Sequence, residues 1–149
     1  MIVVDASLAV KWMLWGTETP RAIDFLDRHG DDLRAPDLLF IEVAGVIVSK
    51  GNQNKAFQAD ALRALDKWTI AWSDHVVRNH RVTQRRLFQA SSMALRLGTP
   101  LKDCVYLALA MELNCDLATC DVKFRDKAYS LYPGIKLLTD YSDPSESSE

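Results

Sequence analysis

Sulfur and histidine are scarce in this chain: three cysteines, Cys104, Cys115 and Cys120, and three histidines, His29, His75 and His80, in 149 residues. The cysteine count is odd and no Cys-x-x-Cys pair exists. That argues against a disulfide framework and against zinc-ligand spacing. The thiols read as small buried residues. No apolar run is long enough to span a bilayer. No basic segment precedes the apolar start and Asp5 interrupts it, so a secretory leader is not expected and the protein reads as cytoplasmic. A glycine-rich phosphate loop is missing, which argues against nucleoside triphosphate hydrolysis. No Ser-His-Asp set, repeat or interdomain linker is evident. The length suits one domain with one core.

Acids and bases are nearly balanced, 20 against 18, for a formal net charge of −2. They are unevenly spread. Residues 75–102 hold Arg78, Arg81, Arg85, Arg86, Arg96 and Lys102 and no acid, so that window carries +6 and the rest of the chain −8. Such asymmetry suggests a local site for a polyanion.

Short apolar runs alternate with helical patterns. Ile2-Val3-Val4 reads as a buried strand, followed by a helix from Ala6 to Leu14. A second helix covers Pro20 to His29, with Ile23, Phe25 and Leu26 facing in. Asp32 to Ala35 reads as a strand, and Pro36-Asp37 opens a long apolar helix that Gly51-Asn52 stops. Asn54 to Lys67 is amphipathic, and Thr69 to Trp72 reads as a strand. A helix from Val76 to Leu97 ends at Gly98, and Thr99-Pro100 starts another that runs to Leu113. Leu117 to Thr119 reads as a strand, Asp121 to Leu131 as a helix, and Ile135 to Leu138 as the last strand. This alternation predicts an α/β fold, a parallel sheet covered by helices on both faces. Residues 1–139 are expected to form the domain, and 140–149 an acidic, serine-rich tail.

In such folds ligands bind at the carboxyl ends of the strands, which gives weight to acids located there. Asp5 directly follows the first strand, and Asp121 follows Leu117-Ala118-Thr119 in the same way. Each alone would be explained as a helix N-cap. Asp103 lies in the first turn of the helix after Thr99-Pro100, where a carboxylate complements the helix dipole. Glu42 stands inside Leu38-Leu39-Phe40-Ile41-Glu42-Val43-Ala44-Gly45-Val46-Ile47-Val48, a helix apolar on every side. A buried carboxylate without a partner is costly. Either an arginine or an exposed stripe relieves it, or a shared cation does. Convergent carboxylates repel one another unless a cation lies between them. An all-oxygen donor set favours Mg²⁺ or Mn²⁺, which can activate water and stabilise charge developing on a phosphoryl group.

Four segments carry a family resemblance. Val4-Asp5-Ala6-Ser7-Leu8-Ala9-Val10-Lys11-Trp12 resembles the opening motif of PIN-domain ribonucleases, specifically the VapC toxins of bacterial toxin–antitoxin pairs. Pro36 to Ala44 around Glu42, Asp103 to Ala110, and Leu117 to Asp121 resemble the second, third and fourth motifs, in order. The resemblance implies a three-layer α/β/α sandwich around a parallel sheet of about five strands. It implies Mg²⁺ or Mn²⁺ held by Asp5, Glu42, Asp103 and Asp121, with Asp5 and Asp103 the most direct ligands and Ser7 and Thr119 supporting them. It also implies endonucleolytic RNA cleavage by metal-activated water, a homodimer, and inhibition by a cognate antitoxin. The chain departs from the family where Trp15-Gly16-Thr17 precede Glu18, and where Cys104 and Cys120 flank two of the acids.

On a helical wheel Arg78, Arg81, Arg85 and Arg96 fall within about 60° of one another, a face suited to RNA phosphates or an acidic antitoxin segment. An ordinary solvated face is the plainer explanation. The four tryptophans read as core or dimer surface. Two rival readings remain: a receiver- or phosphatase-like α/β domain with an acidic pocket, and a PIN fold that binds without cutting. A receiver needs a carboxylate pair at the first strand end and an acceptor Asp on a central strand. Here Asp5 stands alone, and Thr69-Ile70-Ala71-Trp72 has no Asp before Asp74.

Overall fold

The computed structural model describes residues 1–141. Most of the acidic tail, residues 142–149, lies outside the described residues. Five strands, β1 (Ile2–Val4), β2 (Leu33–Pro36), β3 (Arg78–His80), β4 (Asp116–Thr119) and β5 (Ile135–Leu137), form one sheet in the order β3-β2-β1-β4-β5. Every pairing is parallel. Among the described residues seven α-helices accompany them: α1 (Ala6–Met13), α2 (Thr19–His29), α3 (Leu38–Gln53), α4 (Gln58–Ser73), α5 (Gln84–Leu97), α6 (Leu101–Leu113) and α7 (Val122–Ala128). The fold is the expected α/β sandwich with a five-stranded parallel sheet.

Strand order runs outward from β1 to β2 to β3, then jumps back to β4 and on to β5. With right-handed crossovers, the reversal puts α1–α4 on one face and α5–α7 on the other. The contacts agree: α1, α3 and α4 pack together, α2 packs on α1, and α5 pairs with α6. The reversal also opens a crevice between the carboxyl ends of β1 and β4, the usual ligand position in such sheets.

Helix α6 lies over β1, β2 and β4. Its run Cys104-Val105-Tyr106-Leu107-Ala108-Leu109-Ala110 is buried throughout, which an all-round apolar sequence requires. On the other face Trp12 and Trp68 fill the core, and their indole N–H groups donate to the carbonyls of Ala22 and Phe40 at 3.0 Å. Trp72 is half-buried and stacks on Phe40, but Trp15 is exposed.

Four local expectations are corrected. Residues 69–72 are helical, the end of α4, because the burial period Ala61, Ala64, Trp68 continues through them. Tertiary packing overrides the β preference of Thr69 and Ile70. Helix α4 stops at His75, whose φ is 58°, with the Val76 N–H returning to the Ala71 carbonyl. This is a Schellman-type end built on a non-glycine residue. The third strand is instead Arg78-Asn79-His80, a polar edge defined by its ladder with β2 and protected by its charge from further pairing. Consequently α5 begins only at Gln84, capped by Thr83. Ile23, expected to face the core, is exposed, while Ala22 and Phe25 are buried.

Gly51 does not stop α3, which continues to Gln53. The glycine is buried, and a Cβ there would lie 3.2 Å from the Cβ of Ala61 on α4. It permits the close α3–α4 approach. We expect Gly51→Val to destabilise the fold by about 1–3 kcal/mol through overpacking. Urea unfolding tests this, and an unchanged midpoint would remove the packing role.

Candidate active site

The β1–β4 crevice is built around Asp5. Register pairs Val4 with Ala118, so Asp5 leaves β1 beside Thr119 of β4. Its side chain caps α1: Oδ1 accepts from the Leu8 N–H at 3.2 Å and from the Ser7 hydroxyl at 2.7 Å. Oδ2 accepts a short hydrogen bond from the Thr119 hydroxyl. The Cys120 N–H donates to Ser7 Oγ at 2.9 Å, and the Asp121 N–H to Thr119 Oγ1 at 3.0 Å. Each hydroxyl has one proton, and both are spent on Asp5. The 3.2 Å approach of the two hydroxyl oxygens is therefore packing contact. The result is a closed network that ties the two strand ends together.

Asp5 is buried, and burial pushes its carboxyl up to about 6, with the Asp103 charge adding to the rise and the three hydrogen bonds opposing it. Asp121 caps α7 by accepting from the Phe124 N–H at 3.0 Å. Asp103 stands in the first turn of α6. Burial raises its pKa, and the Asp121 and Glu42 charges raise it further, against Lys102. It has no hydrogen bond or ion pair among the described residues. Asp103 thus interacts electrostatically with each of the other three expected acids.

Glu42 differs from expectation in its surroundings. Helix α3 is not buried on every side, since Ile41 and Val48 are exposed. Nor is Glu42 without partners. Its Oε1 accepts from the Tyr106 hydroxyl at 2.6 Å, and Lys102 Nζ lies 3.7 Å from Oε2. Tyr106 is the site residue that sequence reasoning missed. It was hidden among the apolar residues of α6, although its place three residues after Asp103 puts it on the same helix face. Burial, then the Glu42 bond and the surrounding carboxylates, push its hydroxyl far above the ordinary tyrosine range, so it stays a donor.

A model of the PIN domain matches residues 2–129. The chain belongs to the PIN domain family. This PIN domain is 29% identical over 133 residues to VapC ribonuclease Mb0985 of Mycobacterium bovis, and equally to Ribonuclease VapC9 of Mycobacterium tuberculosis. Those alignments cover 89% of this chain and 95% of each relative. Its fold is similar to that of VapC20 from Mycobacterium tuberculosis, described as a Sarcin-Ricin loop cleaving toxin: TM-score 0.70, 15% identity, 85% of this chain and 94% of that one. It is similar also to PAE2754 from Pyrobaculum aerophilum: TM-score 0.67, 17% identity, 93% and 90% coverage.

The donor chemistry of this PIN domain fits a hydrated cation. Among the described residues no group of three ligating side chains meets at metal-binding spacing. Mg²⁺ needs no such cage, because it keeps several waters and takes one or two carboxylates directly. An ionised carboxyl offers about four lone-pair positions. Asp5 has three engaged and one to give, Asp121 has one engaged, and Asp103 has all of its own. A cation among them would reverse the repulsion that adds to the burial-driven rise of Asp5 and Asp103.

The arginines do not form the expected stripe. Arg78 lies on β3 and Arg81 in the connection to α5, so only Arg85 and Arg96 share a helix. Helices α5 and α6 form a hairpin turned by Gly98-Thr99-Pro100. Arg86 pairs with Glu112 at its far end, and Arg96 lies at the end nearest Asp103. Arg85 is therefore separated from Asp103 by roughly the length of α6. Burial pushes the thiol of Cys120, beside Asp121, up to about 12. Among the described residues no helix is long and apolar enough to cross a membrane.

Because the carboxyl of Asp5 is raised in the native state, the folded protein holds this proton more tightly than the unfolded chain. Its contribution to stability is full below pH 4 and is lost as pH rises through about 6, a difference of up to about 3 kcal/mol. Asp5→Asn keeps a capping oxygen and cannot ionise. In EDTA the variant should gain on wild type steadily between pH 4 and pH 7 in urea unfolding. Parallel stability curves would contradict a buried, raised Asp5.

Proposed function

We propose that this PIN domain is a divalent-metal-dependent endoribonuclease that acts as the toxin of a toxin–antitoxin pair. Family membership and the ribonuclease names of relatives aligned along most of both chains support the activity. The observation that carries the metal reading is Asp103: a half-buried carboxylate with no hydrogen bond among the described residues, its proton affinity raised by burial and further by the Asp121 and Glu42 charges. Such a group is poised for a cation. Asp5 and Asp103 are assigned as the most direct ligands of Mg²⁺ or Mn²⁺, with Glu42 and Asp121 completing the acidic site. Bound there, the cation would supply an activated water and stabilise charge on the scissile phosphate. Ser7 and Thr119 hold the Asp5 carboxylate in one orientation, and their accepted backbone bonds fix the Cys120–Asp121 turn. Arg96 and Lys102, at the Asp103 end of the helical hairpin, are the cations of the basic window placed to meet RNA phosphates there. Arg78, Arg81 and Arg85 suit more distant contacts with RNA or with an antitoxin. A homodimer and inhibition by a cognate antitoxin complete this reading.

Incubating total cellular RNA with the protein and Mn²⁺ or Mg²⁺ tests the proposal. Cleavage should be abolished by EDTA, and Asp5→Ala, Asp103→Asn and Glu42→Gln should each lower it by about 10²-fold or more. Cleavage that persists in EDTA, or survives in all three variants, would exclude the metal-dependent mechanism.

A further inference from the structure

Glu42 is held by two donors from one face of α6, one buried and one exposed. Tyr106 is fully buried, and its hydroxyl donates to Oε1 from the interior side of α6. Lys102 is largely exposed, and its ammonium approaches Oε2 from solvent. Asp103 lies between them on α6, at the first position after Lys102 and three before Tyr106. We infer that Tyr106 is a positioning residue that turns the Glu42 carboxylate toward Asp103, and that Lys102 competes with the cation for the same carboxylate. The inference rests on the metal reading above.

The physical case is one of geometry and charge. A glutamate has three rotatable bonds, and ordering it costs side-chain entropy. The Tyr106 ring is locked in the core, so its hydroxyl is a fixed donor at 2.6 Å. A charge-assisted bond of that length is among the stronger kinds. It uses one lone pair of Oε1 and leaves the other for the cation or its water. Lys102 is held only by a long, exposed ion pair, which contributes little to stability. Its charge nevertheless lies beside Glu42 and lowers the pKa of Asp103. Without metal it stands in for the missing cation. With metal its charge repels the ion. Oriented partners of ligating carboxylates change metal affinity by about 10- to 100-fold when removed.

The two residues therefore have opposite signatures. Titration of the full-length protein with Mn²⁺ alone, followed by calorimetry and by the EPR signal of free Mn²⁺, reads affinity without RNA. Tyr106→Phe keeps the ring and should weaken Mn²⁺ binding about tenfold. Lys102→Gln, a surface change that leaves the core intact, should tighten it about threefold. In a Glu42→Gln background, Tyr106→Phe should have no further effect, because it acts through Glu42. If wild type binds Mn²⁺ and Tyr106→Phe binds equally well or better, the positioning role is wrong. Weaker binding by Lys102→Gln would make Lys102 a helper and overturn the competition. Should wild type itself bind no Mn²⁺, the metal reading fails, and this role with it.

Discussion

A carboxylate buried at the point where the sheet reverses direction is the constraint on which the rest of this molecule depends. Asp5 terminates β1, starts α1 and faces β4, so its burial follows from the topology itself. Burial raises the proton affinity of the group, and three hydrogen bonds offset the rise in part. Two of those bonds come from hydroxyls whose only protons are used for that purpose. Ser7 and Thr119 then accept from the backbone of residues 120 and 121, which fixes Asp121 as the cap of α7. One buried charge thus organises both strand ends and two helix starts.

Helix α6 supplies the other half of the site. It is apolar on every side over 104–110 and lies across the centre of the sheet, so it cannot rotate without exposing core residues. That rigidity aims Asp103 at the crevice and Tyr106 at Glu42. The opposing face is held as firmly, with Trp68 of α4 bonded to the Phe40 carbonyl just before Glu42 on α3. The acids are brought together by packed elements from both sides of the sheet, and their repulsion is sustained by that packing.

Asp5, Glu42 and Asp121 stood out in the sequence because each interrupts or follows an apolar run, and Asp103 because it opens one in the first turn of a helix. The parallel sheet was legible because short apolar strands alternate with helical periods. Elsewhere local signals were weak or misleading. Arg78-Asn79-His80 has no strand pattern, and only its ladder to β2 makes it one. Thr69-Ile70-Ala71-Trp72 has β-prone residues, yet the buried face of α4 keeps it helical. His75 ends that helix in a conformation usually left to glycine. The arginine stripe dissolved because it was drawn on a helix that begins six residues after Arg78. For Glu42 the sequence left an arginine partner, an exposed stripe or a shared cation open; its two donors come from α6, 60 and 64 positions away in the chain.

By itself, then, the sequence determined the α/β class and the family and singled out four candidate acids, since these depend on residue type, order and spacing along the chain. Tertiary structure decided the electrostatics: which hydroxyl protons point at Asp5, that Asp103 has no donor among the described residues, and that Glu42 meets both Tyr106 and Lys102. Proton affinities and hydrogen bonds depend on distances of a few ångströms between groups far apart in sequence. Those distances exist only once β1, β4, α3 and α6 have packed.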